Sequence, residues 1–291
     1  MINFHKFGFL DAKKLKNYVE NKNYWLNRYN PIWLFIWKDL YRPEIAYDND
    51  FCYIRYLEPN VGIVYYPPLG DKRIEDGIKK IQADAMEHGY DVIFGPVTES
   101  SVMKFNELKY NMLDNEQYGN YIYLCDNLSQ LNKNKAFKGK IKTFIKNHPN
   151  AYYRKAKKED FPKMLEFIEN WRTTQTTFKD KLFFDKLASI KVLMEHLYEF
   201  NLYPIMLEDE DKIYGISIIS YLDNMAYLNL CIALMDEPGA YEFLVETSAK
   251  ESALRAKYIN LEEDYNDDKI KKEFEELKPY TKEKFYRTFR L

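Results

Sequence analysis

Residues 202–234 read LYPIMLEDEDKIYGISIISYLDNMAYLNLCIAL, in which three apolar runs are separated by the polar turns EDK and DN. Apolar runs of this length between turn residues predict three neighbouring antiparallel strands. The stretch EPGAYEFLVETSAKESALRAK at 237–257 then predicts a long helix, and YINLEE at 258–263 predicts one more strand. This order predicts an α/β (α+β) unit with a mixed, mostly antiparallel sheet flanked by helices.

The first part of the chain repeats this order of elements, although the two parts share almost no sequence identity. Three strands, a helix and a further strand are predicted in turn over 44–47, 51–56, 61–66, 74–89 and 90–97. A repeated order of elements predicts two halves, 1–130 and 131–291. Between the two meanders we predict strands at 121–128 and 151–156 and helices at 159–174 and 180–200.

The composition is that of an ordinary globular protein. Of 291 residues, 46% are hydrophobic and 30% charged, and the formal net charge is -2. A charge pattern that favours binding to nucleic acid or to a membrane must therefore lie in a local segment of the chain. The three cysteines lack metal-binding or disulfide spacing, and the four histidines are dispersed, so neither a disulfide framework nor a metal site is predicted. No apolar run approaches eighteen residues, and no signal peptide is visible at residue 1, so we expect a cytoplasmic chain without a membrane span.

The most distinctive shift in composition lies at the start of the second half. Residues 131–158 hold ten lysines and arginines and no acid. Lys138, Lys142 and Lys146 recur every four residues, with Lys140 between them, so a helix here would carry one charged edge. Such an edge suits the phosphates of tRNA or of an anionic membrane. The alternative is a solvated helix that links the two halves.

Several blocks of sequence, in order and spacing, resemble the family of the phosphatidylglycerol lysyltransferase C-terminal domain. They cover nearly the whole chain: WLFIWKDLY (33–41), YYPPLGD (65–71), NYIYLCDNLSQL (120–131), FKGKIKTFIKNHPNAYY (137–153), FIENW (167–171) and YINLEED (258–264). The resemblance implies two GNAT-like (acyl-CoA N-acyltransferase) halves packed about a pseudo-twofold axis, with a cleft on the second half. Characterised members transfer an aminoacyl group from aminoacyl-tRNA to a lipid headgroup amine or hydroxyl.

Three functions follow from this resemblance. The first is aminoacyl transfer from aminoacyl-tRNA to a lipid headgroup or a small amine or hydroxyl acceptor, with no cofactor. The second is N-acyl transfer from a coenzyme A ester. The third is an inactive module that binds nucleic acid or an anionic membrane. The family's basic helix commonly contains an Asn and a His where this chain has Gly139-Lys140, and a Gly follows NLEED where this chain has Tyr265-Asn266. The sequence leaves the acceptor, the acyl group and the oligomeric state open.

The resemblance implies catalytic roles for Asn260, Glu262 and Asp264, at the end of the last predicted strand. A carboxylate at such a strand end accepts the proton of an attacking amine or holds the ammonium of an aminoacyl group. Strand alternation sends Asn260 and Glu262 to one face. Near Asn229 we expect the strand 225–234 to separate from its neighbour, as GNAT strands do, and to offer a backbone N–H to the oxyanion.

Further substrate contacts are predicted around this cleft. Arg172 would clamp a carboxylate or phosphate and Trp171 would stack on adenine, the alternative being a core Trp beside a surface Arg. Lys278 and Tyr280 of the C-terminal tail would reach the cleft. Pro238 predicts the first residue of a helix, and the acids before it disfavour the phosphates of coenzyme A at that helix start.

Overall fold

Helices and strands follow the hydrophobic periodicity of the sequence over residues 1–174, 189–264 and 267–289, which are the residues that the computed structural model describes. They form two compact units. The first comprises Met1–Asn120, Glu263–Asn266 and Lys282–Leu291, and the second comprises Tyr121–Glu262 and Asp267–Thr281. The predicted halves 1–130 and 131–291 rest on the repeated order of elements, whereas these units rest on compact packing. The halves therefore stay a prediction.

The first unit combines an antiparallel meander with short strands and several helices. Its helices are α1 (Phe9–Val19), α2 (Pro31–Ile36), α3 (Lys38–Tyr41), α4 (Ile74–His88) and α5 (Glu99–Glu107). Its strands are β1 (His5–Lys6), β2 (Glu44–Tyr47), β3 (Phe51–Glu58), β4 (Gly62–Tyr65), β5 (Leu69–Gly70) and β6 (Asn111–Asp114). The order β1-β2-β3-β4, with β5 beside β3, confirms the predicted meander.

The helix that follows the meander ends where the sequence predicts. Gly89 closes α4 with φ 69°, a left-handed conformation that glycine adopts without steric cost. The strand predicted at 90–97 is wrong as an extended element. Only isolated bridges form, Phe94 parallel to Tyr65 and Val97 antiparallel to Tyr286. Pro96 lies between them and has no N–H for a ladder, which interrupts the strand.

The second unit carries the longer sheet. Its helices are α6 (Cys125–Leu128), α7 (Lys135–Asn147), α8 (Phe161–Thr174), α9 (189–195), α10 (Ala240–Ser252) and α11 (Asp268–Glu276). Its strands are β7 (Asn120–Leu124), β8 (Tyr152–Lys155), β9 (Tyr203–Glu208), β10 (Ile213–Leu222), β11 (Met225–Ala233) and β12 (Tyr258–Asn260), and a further strand, β13 (Thr281–Glu283), starts at the last residue of this unit. The sheet order is β13-β7-β12-β11-β10-β9-β8.

The strand pairing of this sheet matches the predicted order of elements. The strands β9, β10 and β11 pair antiparallel, and β12 returns parallel to β11 after α10. The strand predicted at 121–128 is too long, since it ends at Leu124 and the chain turns into α6. Of the helix predicted at 180–200, residues 180–188 lie outside the described residues, and 189–195 are helical.

Hydrophobic clusters underlie both sheets. In the second unit, Phe137, Ile141 and Phe144 of α7 lie in a cluster with residues of α10 and of the sheet. In the first unit, aromatic side chains of the meander and of α5 form a separate cluster. A last strand, β14 (Tyr286–Phe289), pairs antiparallel with β6, which ties the C-terminal segment to the first unit.

Candidate functional site

Two irregularities of the second sheet define the site. The pairing of β10 with β11 shifts register between Ile218 and Ile219, whose partners are Leu230 and Leu228, so Asn229 has no opposite residue. Such a bulge bends a strand and re-aims its side chain. The parallel pairing of β11 with β12 covers only Met225–Tyr227. The bulged strand β11 therefore pairs with β12 over only three residues. The bulge lies at Asn229, near which the sequence predicts that β11 separates from its neighbour.

Glu262 lies just past the end of β12, and its side chain contacts Asn229 at this bulge. Its backbone has φ 67°, the left-handed region, and its N–H donates to Oδ1 of Asn260 at 2.6 Å. A bulky residue held in this region signals local strain that the surroundings impose, a condition found at functional sites. Its side chain is buried, and its Oε1 accepts a hydrogen bond from Nδ2 of Asn229 at 3.3 Å.

The structure thus brings together three of the predicted residues, Asn229, Asn260 and Glu262, in the second unit. All three are buried. Oδ1 of Asn229 is buried and has no hydrogen-bond partner among the described residues. A buried amide oxygen without a donor is costly, and strain, a catalytic role or a bound group are the physical explanations for such an atom.

Asp264, predicted beside Glu262, has a different surrounding. It is buried within the first unit, where its Oδ2 lies 3.5 Å from Nζ of Lys282. The intervening Glu263 faces Arg28, whose Nε is 3.4 Å from Oε1 of Glu263. The three successive acids therefore have three different sets of partners. Tyr265 and Asn266, which stand where the family commonly has a Gly, lie outside the described residues.

The contacts of Trp171 are those of a core residue. Its indole is buried and Nε1 donates to the carbonyl oxygen of Ala233 at 2.7 Å, which attaches α8 to the end of β11. Arg172 is exposed and pairs with Glu169 on the same helix at 3.0 Å. These contacts favour the alternative of a structural Trp beside a surface Arg.

The two predicted residues of the tail follow α11. Lys278 is exposed and has φ 59°. Tyr280 is exposed as well, its ring lies 5.4 Å from that of Tyr258, and its N–H donates to the carbonyl oxygen of Ile122 at 2.7 Å. The backbone bond fixes the tail at the sheet edge and leaves both side chains at the surface.

The basic segment forms the helix α7, so its lysines share one charged edge as expected for a helix. In α7, Lys138, Lys142 and Lys146 are exposed, and across residues 1–174, 189–264 and 267–289 no carboxylate pairs with their ammonium groups. Lys140 differs from them. Its Nζ donates to Oε1 of Glu242 at 2.6 Å, and this hydrogen bond raises the pKa of Lys140. Three lysines thus form an unpaired row on the outer edge of α7.

Glu273, on α11, adds a second carboxyl group to the surroundings of Glu242. Burial, and then the nearby Glu242 carboxylate, raise the pKa of Glu273. The ion pair of Lys140 with Glu242 places one positive charge beside these two carboxyl groups.

The start of α10 is covered by the inner side of α7. Gly239 has φ 90° and caps the helix, so the prediction of Pro238 as first helical residue is wrong, because the chain needs glycine at the cap. A Cβ at this position would lie 2.6 Å from the carbonyl carbon of Lys140 and 3.1 Å from Cβ of Phe144. The backbone of α7 therefore lies close to the cap of α10, the helix end at which a GNAT enzyme binds phosphates.

An antiparallel meander followed by a helix and a parallel strand, with a bulge in the third strand, defines a GNAT-like acyltransferase fold. The family model for the C-terminal region of phosphatidylglycerol lysyltransferase matches residues 27–271. The chain therefore belongs to the family of phosphatidylglycerol lysyltransferase C-terminal domains, which confirms the predicted resemblance.

Solved structures share this fold at low sequence identity. A conserved protein of unknown function from Bacteroides thetaiotaomicron has 18% identity and a TM-score of 0.92, with 100% of both chains covered. FemX has 9% identity and a TM-score of 0.64, with 100% of this chain and 98% of the other covered. L-PGS from Bacillus licheniformis has 14% identity and a TM-score of 0.60, with 96% and 91% covered. No curated protein matches the sequence at a significant level.

Among the described residues, none of the helices combines the length and the apolar character that crossing a bilayer requires.

Proposed function

We propose that the chain is an aminoacyltransferase that takes its aminoacyl group from aminoacyl-tRNA and passes it to a lipid headgroup or to a small amine or hydroxyl acceptor. The acceptor's nitrogen or oxygen forms a bond to the ester carbonyl carbon, and the ester bond to the tRNA ribose oxygen breaks. The tRNA leaves with a free hydroxyl, and the acceptor loses one proton. Family membership and the geometry of the second unit support this proposal.

The single observation that carries the proposal is the placement of α7. Its backbone lies close to Gly239, the cap of α10, which is the helix end where a coenzyme A pyrophosphate would bind, and its outer edge carries Lys138, Lys142 and Lys146. A row of unpaired ammonium groups binds a phosphate backbone without sequence preference. The same helix thus disfavours the coenzyme A ester as donor and favours a polyanionic donor.

The chemistry asks little of the protein beyond orientation. An aminoacyl ester is already activated, so positioning and stabilisation of the oxyanion supply most of the rate. The backbone around the bulge at Asn229 is the candidate donor to the oxyanion. Glu262 is the candidate acceptor for the proton or for the aminoacyl ammonium.

The test compares tRNA binding across a salt series. The triple variant K138E/K142E/K146E should weaken binding and reduce the slope of log affinity against log salt by about 2 to 3, because each phosphate contact contributes about 0.7 to 0.9. The variant K13E/K72E/K79E is the matched control, since it changes three other exposed lysines and alters the net charge equally. It should bind tRNA far more tightly than the first variant.

Two results would contradict the proposal. One is equal loss of tRNA binding in both triple variants, which would reduce the effect to net charge. The other is salt-insensitive binding of acetyl-CoA without binding of tRNA, which would favour the acyl-CoA alternative. Transfer of a labelled amino acid from tRNA to lipid vesicles or to soluble amines then identifies the acceptor class.

A further inference from the structure

The C-terminal end of α7 is attached to the turn that leads into α10. His148 ends α7, and its N–H donates to the carbonyl oxygen of Phe144 at 2.9 Å. Nε2 of the imidazole lies 2.8 Å from Oε2 of Glu237. The carbonyl oxygen of Glu237 accepts the N–H of Ala240, the first residue of α10. The contact between His148 and Glu237 therefore joins the end of one helix to the start of another.

Glu237 is also held from the sheet. Its Oε1 accepts a hydrogen bond from Nζ of Lys212, just before β10, at 2.5 Å. Burial opposes the ionisation of Glu237, but the hydrogen bonds from Lys212 and His148 outweigh burial and lower the pKa of Glu237. Glu237 is therefore a carboxylate across the range of about pH 5 to 8, in which an imidazole titrates. A carboxylate only accepts hydrogen bonds, so Nε2 of His148 is the donor.

Tyr214 and Asp209 face the imidazole from the hairpin of β9 and β10. The ring of Tyr214 lies 4.5 Å from that of His148, and its hydroxyl donates to Oδ2 of Asp209. This hydrogen bond lowers the pKa of Asp209, and burial raises the pKa of Tyr214 to about 12. Asp209 is therefore negative and Tyr214 is neutral near pH 7. Further charges nearby are those of Asp211, in the hairpin, and of Lys146, in the last turn of α7.

Protonation of His148 adds two interactions at the end of α7. The imidazolium forms an ion pair with Glu237, and a charge-assisted hydrogen bond is stronger than a neutral one. A positive charge at the C-terminal end of a helix also interacts favourably with the helix dipole. Lys146 lies in this last turn, and helix ends fray. The ion pair thus fixes Lys146 relative to Lys138 and Lys142, the other two members of the lysine row.

We infer that His148 is a positioning residue for the lysine row, and that its ion pair with Glu237 strengthens polyanion binding when the imidazole is protonated. The inference rests on the proposed function for the identity of the polyanion. It adds a pH dependence that the lysines do not supply, because ammonium groups titrate at much higher pH. The pair needs a protonated ring and an ionised carboxylate. Its effect is therefore present at about pH 6 and is lost as the pH rises toward about 8.

The first test measures tRNA binding at both pH values and constant salt. The unmodified chain should bind about threefold to fivefold more tightly at about pH 6 than at about pH 8, the range that a partly exposed ion pair supports. His148→Gln keeps a neutral N–H donor but cannot be charged, so its affinity should be the same at both pH values. His196→Gln is the matched control, since His196 pairs with Glu199 outside α7, and it should keep the pH dependence.

The variant Glu237→Gln separates positioning from direct contact with phosphate. If His148 acts through Glu237, this variant should lose the pH dependence. If the imidazolium itself bound phosphate, removal of the competing carboxylate would keep or enlarge the pH dependence, and that result overturns the inference. A pH dependence that survives in His148→Gln overturns it as well. Lys212→Gln leaves the contact of His148 intact and should keep the pH dependence.

The second test needs no tRNA and separates the inference from the proposed function. After correction for intrinsic rates, amide hydrogen exchange of residues 145–148 should be about threefold to fivefold slower at about pH 6 than at about pH 8. This difference should vanish in His148→Gln and in Glu237→Gln. If one of these variants fails to unfold cooperatively on heating, the other variant and the unmodified chain decide the result.

The outcomes of the two tests are distinct. Exchange that is independent of pH in the unmodified chain overturns the inference. Binding of tRNA with the same pH profile in the unmodified chain and in His148→Gln also overturns it and leaves the proposed function standing. Exchange that slows with protonation of His148, in a chain that does not bind tRNA, supports the positioning of α7 and overturns the proposed tRNA donor.

Discussion

Nε of Arg28 lies 3.4 Å from Oε1 of Glu263, although 235 positions separate the two residues in the chain. Both side chains are buried, and Nη1 of Arg28 is 3.6 Å from Oε2 of Glu58. The guanidinium also lies over the rings of Tyr118 and Trp33, at 4.4 and 4.7 Å from their centres. The segment that follows β12 is thus fixed by a buried cation within the first unit.

The variant Arg28→Met should lower the free energy of unfolding by about 3 to 5 kcal/mol, because it removes the guanidinium that neutralises the buried Glu263 carboxylate, while Glu58 keeps Arg287 at 3.1 Å. Arg73→Met is the matched control, since Arg73 is exposed and its loss should change stability by no more than about 0.5 kcal/mol. Urea unfolding of both variants checks the prediction. Equal midpoints for the two variants would contradict it.

The local part of the fold could be predicted from the sequence. Both meanders, the helix over the basic segment and the cap at Gly89 follow from periodicity and turn residues that lie close in sequence. The lysine row needed only the helical spacing of Lys138, Lys142 and Lys146. Family resemblance extended this local reasoning to Asn260 and Glu262.

The remainder depends on contacts between distant segments. Nothing near Arg28 indicates a partner at Glu263, and nothing in the tail indicates that β14 pairs with β6. The left-handed conformation of Glu262 is also imposed by its surroundings, since most residues in this conformation are glycine or asparagine. Register between distant strands is set by tertiary packing, which periodicity does not encode.

Two glycines on neighbouring helices should respond oppositely to alanine. Gly239→Ala should destabilise the chain, because its Cβ would collide with the backbone of Lys140 and because φ 90° disfavours alanine. Gly139→Ala, with no atom within 4 Å of the added Cβ, should stabilise the chain by about 0.5 to 1 kcal/mol, the difference in helix propensity. Thermal unfolding measures both. A stabilised Gly239→Ala would show that α7 does not cover the start of α10 as described.

The indole of Trp171 should matter for stability rather than for binding. Trp171→Phe leaves the carbonyl of Ala233 without its donor and should lower the free energy of unfolding by about 1 to 3 kcal/mol. Arg172→Ala, which removes an exposed side chain of the same helix, is expected to stay within about 0.5 kcal/mol. Denaturant titrations test the stability, and tRNA titrations test the binding. Weakened tRNA binding by a fully stable Trp171→Phe would favour the stacking role instead.

Lowering the pH should weaken the ion pair between Arg154 and Asp160, just before the start of α8. Asp160 accepts two hydrogen bonds from Arg154, at 2.6 and 2.8 Å, and the Arg154 guanidinium lowers the pKa of Asp160 to about 2. Because the pKa of the folded state is depressed, the contribution of this pair is fully present above about pH 4 and is lost as the pH falls toward about 2. Its size should be about 1 kcal/mol or less, since Arg154 is partly exposed.

The stability difference between the unmodified chain and Asp160→Asn, measured by urea unfolding, should therefore shrink below about pH 4. Asp91→Asn, at an exposed aspartate, corrects for the general loss of one carboxylate. A difference that stays constant after this correction would show that the pair contributes nothing through its charge.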